Sequence, residues 1–82
     1  MPRFLLITTR TARFDPAVLP AHAAYLDTLR AAGQLELSGP FTDGGGAYLL
    51  RAGSRAEAEA IAAADPLQSS GASTIAVKEW QV

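Results

Sequence analysis

Pro20-Ala21-His22-Ala23-Ala24-Tyr25-Leu26 carries the only histidine of the chain, and a carboxylate suited to pair with it lies far downstream in Asp65-Pro66. His22 falls on the stripe made by Leu19, Leu26 and Leu29, the face of a helix that packs against a sheet. An imidazole on such a stripe needs a hydrogen-bond partner, because a buried polar group left without one costs about 1–3 kcal/mol. Asp65, pushed out of helical geometry by the proline after it, can supply that partner.

Working outward from this helix, Phe4 to Thr9 is an apolar and β-branched run of strand length, suited to a central position buried on both faces. Asp15-Pro16 places a capping residue before a proline fit for a first helical turn, and the helix runs to about Ala32. Pro20 leaves two readings open: a short first turn followed by a helix that begins at Pro20, or one helix kinked there. Gly33 stops the helix, and Leu35 to Ser38 alternate as a second strand that ends at Gly39-Pro40. Thr42-Asp43-Gly44-Gly45-Gly46 turns the chain into a third strand, Ala47 to Ala52. Ser54-Arg55-Ala56-Glu57 is a capping box opening a second helix, whose packed face is expected at Ala56, Ala60, Ile61 and Ala64. Leu67 to Ala72 reads as a polar connection and Ser73 to Trp80 as the fourth strand.

The order β-α-β-β-α-β is the split βαβ arrangement of a ferredoxin-like α+β domain: a four-stranded antiparallel sheet with both helices on one face. The whole chain, residues 1–82, reads as a single domain. Eighty-two residues bury only roughly 60–65% of the unfolded surface, so the core is thin. The bare sheet face, with Trp80 and Tyr48 as expected contributors, points to a homodimer formed through that face.

Composition narrows the partners. The chain is 49% hydrophobic and 18% charged with a formal net charge of −1, and its seven basic residues form no run. Nucleic acid and anionic membrane are therefore not expected partners. No apolar stretch approaches the ~20 residues of a membrane span, and no small-residue cleavage site follows the apolar run near the N-terminus, so a cytoplasmic protein is expected. With no cysteine and one histidine, thiolate and multi-histidine metal sites within one chain are excluded, and neither a metal nor another cofactor is expected.

His22 is the residue type suited to general acid–base work near neutral pH, and a carboxylate on one ring nitrogen fixes which nitrogen carries the proton. The alternative is a core histidine satisfied by Asp65, with Asp65 otherwise a turn cap. Ser38 can donate to a bound oxygen, although no nucleophile elbow surrounds it. Tyr25, three residues after His22, is placed to line the same pocket, or else belongs to the core. Arg10 and Arg13 follow the first strand near a pocket mouth and suit a carboxylate or phenolate, unless they are only solvated loop charges. The glycine run lacks the Lys and Ser/Thr of a phosphate-binding loop and joins strand to strand, which makes it a hairpin turn.

Taken in order, Pro20-Ala21-His22, Tyr25-Leu26, Gly33-Gln34-Leu35, Ser38-Gly39-Pro40-Phe41, the glycine turn, Ala56-Glu57-Ala58 and Asp65-Pro66 resemble the YCII-related domain proteins over nearly the whole chain. The resemblance implies a fold of the dimeric α/β barrel type, in which two sheets pack face to face. It also implies a His-Asp pair in a cleft, corresponding to His22 and Asp65, with Ser38 beside it. Chemistry in this group extends to a dehydrochlorinase of chlorinated hydroxyhydroquinones, and a muconolactone isomerase shares the wider fold. The reading is then a small cofactor-free lyase or isomerase in which His22 and Asp65 move a proton on a cyclic or carbonyl-bearing metabolite. In it Ser38, Arg10 and Tyr25 contact the substrate. The competing reading is a non-catalytic dimeric module, either binding a small ligand or accessory to an enzyme. An open pocket with a free imidazole nitrogen separates the two.

Overall fold

The first strand, β1 (Arg3–Arg10), alternates side chains across the sheet, so Phe4, Leu6 and Thr8 are buried while Leu5 and Ile7 are only half-buried. That alternation organises the computed structural model, which covers residues 1–82. β1 is central in the order β2-β3-β1-β4, with β2 (Leu35–Pro40), β3 (Gly46–Arg51) and β4 (Ser73–Trp80) all antiparallel to their neighbours. Helices α1 (Leu19–Ala31) and α2 (Arg55–Ala64) and the single-turn α3 (Pro66–Ser69) complete a ferredoxin-like α+β fold. No helix is long and apolar enough to cross a membrane.

Local chemistry sets the element ends. The Asp15 side chain accepts from the Ala17 amide, at 2.9 Å, and opens a 3₁₀ turn at Pro16–Val18. Leu19 then begins α1, so Pro20 stands in the first helical turn and kinks nothing; its missing N–H is one that the helix end would leave unpaired anyway. Gly33 takes a φ of +76°, open to glycine without strain, and ends the helix. Ser54 caps α2 by accepting from the Glu57 amide at 3.1 Å, while the Glu57 carboxylate turns back to the amide of Gly53.

Three expectations need correction. The face of α2 that packs holds Ala58 and Ala62, with Ala56, Ala60 and Ala64 exposed; Ile61 is half-buried against the core. A helix this rich in alanine has no apolar periodicity to choose between faces, and the docking geometry chooses instead. The stretch after Pro66 is helical, because Asp65 caps it. Tyr48 does not lie on the bare face: β3 pairs it with Leu6 of β1, which puts its ring among Phe4, Leu6 and Leu50 beneath the helices. Trp80, opposite Arg3, does lie on the bare face and is 48% exposed.

That open face carries Leu5, Ile7, Leu49, Trp80 and Leu37, the last 69% exposed beside a bulge in β2. Glu36 ties Arg3 and Arg51 across it, at 2.8 and 3.0 Å. Hydrogen bonds from Arg51 first, then the charges of both arginines, hold the Glu36 carboxyl below the usual glutamate range.

Candidate functional site

Asp65 ends α2 with an extended backbone that Pro66 requires, and this geometry turns its side chain inward. The carboxylate is fully buried. Oδ1 accepts from the Leu67 amide at 2.9 Å, which starts α3, and Oδ2 accepts from the Tyr48 hydroxyl at 2.8 Å. His22 comes from α1, two residues beyond Pro20, and its Nδ1 lies 2.9 and 3.0 Å from the two carboxylate oxygens. Every neighbour of the carboxylate is thus a donor, and an ionised carboxylate can only accept, so the network assigns the proton to Nδ1.

The other ring nitrogen has a different surrounding. Every buried side-chain nitrogen or oxygen of the protein has a hydrogen-bond partner, yet Nε2 of His22 has none within the chain; it is therefore open to solvent. The His22 side chain retains 17% exposure and lines a cavity of about 380 Å³ between the start of α1 and the β2-β3 end of the sheet. A histidine serving only the core would have both nitrogens closed off.

Ser38 and Arg10 line the same cavity. Ser38 stands on β2 directly opposite Tyr48, and its hydroxyl makes no hydrogen bond within the chain. Arg10, at the end of β1, rests its guanidinium on the Phe14 ring, 4.2 Å from the centroid, and has no carboxylate partner. An unpaired guanidinium at a cavity wall attracts an anion. Arg13 faces elsewhere, lying against Gly71 and donating to the Ser70 carbonyl.

Tyr25 is not a cavity residue. Its hydroxyl donates to the Ile61 carbonyl at 2.8 Å and ties α1 to α2, and its phenol is raised above the ordinary tyrosine range by burial and then by the Asp65 charge. The tyrosine that does meet the site is Tyr48. Its ring lines the cavity with its centroid 6.1 Å from that of His22, and its hydroxyl is held protonated chiefly by burial, then by the Asp65 charge and hydrogen bond. Strand alternation together with the β1–β3 pairing is the signal that finds it, and the pairing is not written in the local sequence.

Known proteins share this architecture. The family model described as the YCII-related domain matches residues 1–81. An uncharacterized protein, YjpA of Bacillus subtilis, is 42% identical, the alignment covering 100% of this chain and 98% of that protein. The fold is also that of 5-chloro-2-hydroxyhydroquinone dehydrochlorinase from Burkholderia phenoliruptrix, solved with 2,5-dihydroxybenzoquinone, at a TM-score of 0.77 and 23% identity over 96% of this chain and 93% of that one. On the family match and the 42% identical relative, the chain belongs to the YCII-related domain family.

Proposed function

We propose that this chain, working as one domain, is a small enzyme in which His22, oriented by Asp65, transfers a proton on a small cyclic or carbonyl-bearing metabolite. The observation that carries the reading is the division of the imidazole: Nδ1 is committed to a fully buried carboxylate, while Nε2 is left without a partner on a ring that lines the cavity. A free ring nitrogen in an open pocket supports catalysis over a purely structural pair.

In the step proposed, neutral Nε2 takes a proton from a carbon beside a carbonyl, and the C–H electron pair moves onto the carbonyl oxygen. Asp65 stabilises the imidazolium that results. Ser38 donates its hydroxyl to the oxyanion, and the Arg10 guanidinium offsets its charge. The imidazolium then returns the proton to a different atom, which is an isomerisation. If the enolate instead expels a leaving group from the adjacent carbon, the imidazolium releases its proton to water, and the outcome is an elimination. Both courses conserve electrons, so neither requires a redox partner. The dehydrochlorinase that shares the fold makes hydroxylated quinones and hydroquinones the first compounds to try.

A second copy of the chain covering the open sheet face belongs to the same proposal. The exposed Leu37 and Trp80 and the half-buried Leu5 and Ile7 give it an apolar surface.

The test is deuterium exchange. Hydroxylated quinones and cyclic enol lactones in D₂O are followed by proton NMR with the unaltered chain and with His22→Ala. The expected result is catalysed exchange beside the carbonyl that falls by about 10²–10⁴ in His22→Ala, the usual contribution of a positioned acid–base group. Exchange that survives the substitution in a folded protein sinks the mechanism.

A further inference from the structure

Tyr48 is the one polar side chain in the His22–Asp65 cluster to which the proton-transfer step gives no task. A buried phenol needs some partner, and β3 could have offered a leucine here as it does at Leu49 and Leu50. Instead the hydroxyl donates at 2.8 Å to the oxygen of Asp65 that the Leu67 amide does not use. Each carboxylate oxygen is thereby held by its own donor, one from the sheet and one from the start of α3. The carboxylate plane cannot turn, and both oxygens present an edge to Nδ1, which sits almost equidistant from them at 2.9 and 3.0 Å.

We infer that Tyr48 is a positioning residue for His22. It acts through Asp65, fixing the carboxylate against Nδ1 and drawing off part of its charge, so that the proton stays on the imidazole and Nε2 remains the acceptor in the cavity. This rests on the His22–Asp65 reading and adds a third member from a different layer of the fold. The phenol can play this part because it stays neutral throughout the ordinary pH range: burial and the adjacent carboxylate both oppose its ionisation.

The direction of the effect follows from competition for one negative charge. With the O–H removed, the carboxylate is the stronger acceptor for Nδ1–H and stabilises the imidazolium more. The groups that face the imidazole are Asp65 and, behind it, Tyr48 from the sheet, with Arg10 on the wall of the same cavity. Tyr25, further along α1, has its hydroxyl on the Ile61 carbonyl. Only Tyr48 changes in the test, so the change in proton binding at His22 reports its donor.

The experiment is an NMR titration of His22, the sole imidazole, reading the ring nitrogens and the Nδ1 proton in the unaltered chain, Tyr48→Phe and Asp65→Asn. In Tyr48→Phe the midpoint is expected to move up by about half a pH unit or more, and the Nδ1 proton to move downfield. Site-specific replacement of Tyr48 by a ring-fluorinated tyrosine, a stronger donor of the same shape, is expected to move the midpoint the opposite way. It also serves if Tyr48→Phe does not fold. A midpoint indifferent to both changes overturns the role of Tyr48. Asp65→Asn separates that outcome from failure of the pair: if it lowers the midpoint while the Tyr48 variants are silent, only the inference about Tyr48 falls. If it too leaves the ring unchanged, the pair itself is uncoupled and the proposed mechanism falls with it.

Discussion

The two faces of the sheet depart in opposite ways from the usual arrangement of apolar inside and polar outside. Beneath the helices, Thr8, Tyr48 and Asp65 are buried polar groups, each hydrogen-bonded, and they line or support the cavity. On the other side, Leu37 and Trp80 with the half-buried Leu5 and Ile7 form a largely apolar surface with Glu36 and two arginines laid across it. The buried polar side is complete within one chain, since no buried side-chain donor or acceptor lacks a partner. The open side differs in that Leu37 and Trp80 stay exposed there. The cavity and the open apolar face thus lie on opposite sides of the same four strands.

The contrast is broken most severely at Asp65. Asp65→Ala leaves the Tyr48 hydroxyl, Nδ1 of His22 and the Leu67 amide without their acceptor, and a loss of about 3–5 kcal/mol in urea denaturation is expected. A loss below about 1 kcal/mol would mean that water replaces the carboxylate and that the network adds little to the fold. Next in size is Ala58→Leu, which forces a larger side chain between α2 and the sheet where no space is open; about 1–3 kcal/mol of destabilisation is expected. Smaller still is Leu37→Glu on the open face. It should change monomer stability by no more than about 0.5 kcal/mol while abolishing self-association in sedimentation velocity. Were the substitution to leave a dimer intact, the second copy would have to dock elsewhere.

The smallest effect concerns Glu36, whose carboxyl is lowered in the folded protein. A lowered value stabilises the fold above the unfolded carboxyl range, and the contribution disappears as pH falls through the folded value. Thermal melts below about pH 4 should therefore lose stability more steeply in the unaltered chain than in Glu36→Gln, with the two curves parallel near neutrality.

Residues with few alternatives made much of this readable from the sequence alone. A single histidine on an apolar stripe demands a partner, and an aspartate before a proline is one of few that can turn inward; the two do meet in the structure. Asp15, Gly33 and Ser54 mark their helix ends by well-defined local chemistry. The failures occurred where local chemistry is silent. Ala47-Tyr48-Leu49-Leu50 is apolar throughout, so no alternation says which side Tyr48 takes, and its pairing with Leu6, more than forty residues away, decides it. The alanines of α2 are similarly mute about which of them packs. The spacing of Tyr25 from His22 points to the pocket, but in the structure its hydroxyl belongs to the contact between helices.

The site is assembled from α1, β3 and the junction after α2, with His22 and Asp65 separated by 43 residues. Its pieces come together only when the whole chain is folded, so a ligand that occupies the cavity binds the folded state alone and shifts the global unfolding equilibrium. At a hundred times its dissociation constant such a ligand adds about 2.7 kcal/mol. In a domain this small that corresponds to a rise in melting temperature of roughly 10–20 °C. The protein is in this sense a sensitive thermometer for whatever fills its cavity, and compounds can be ranked by melting temperature ahead of any assay of turnover.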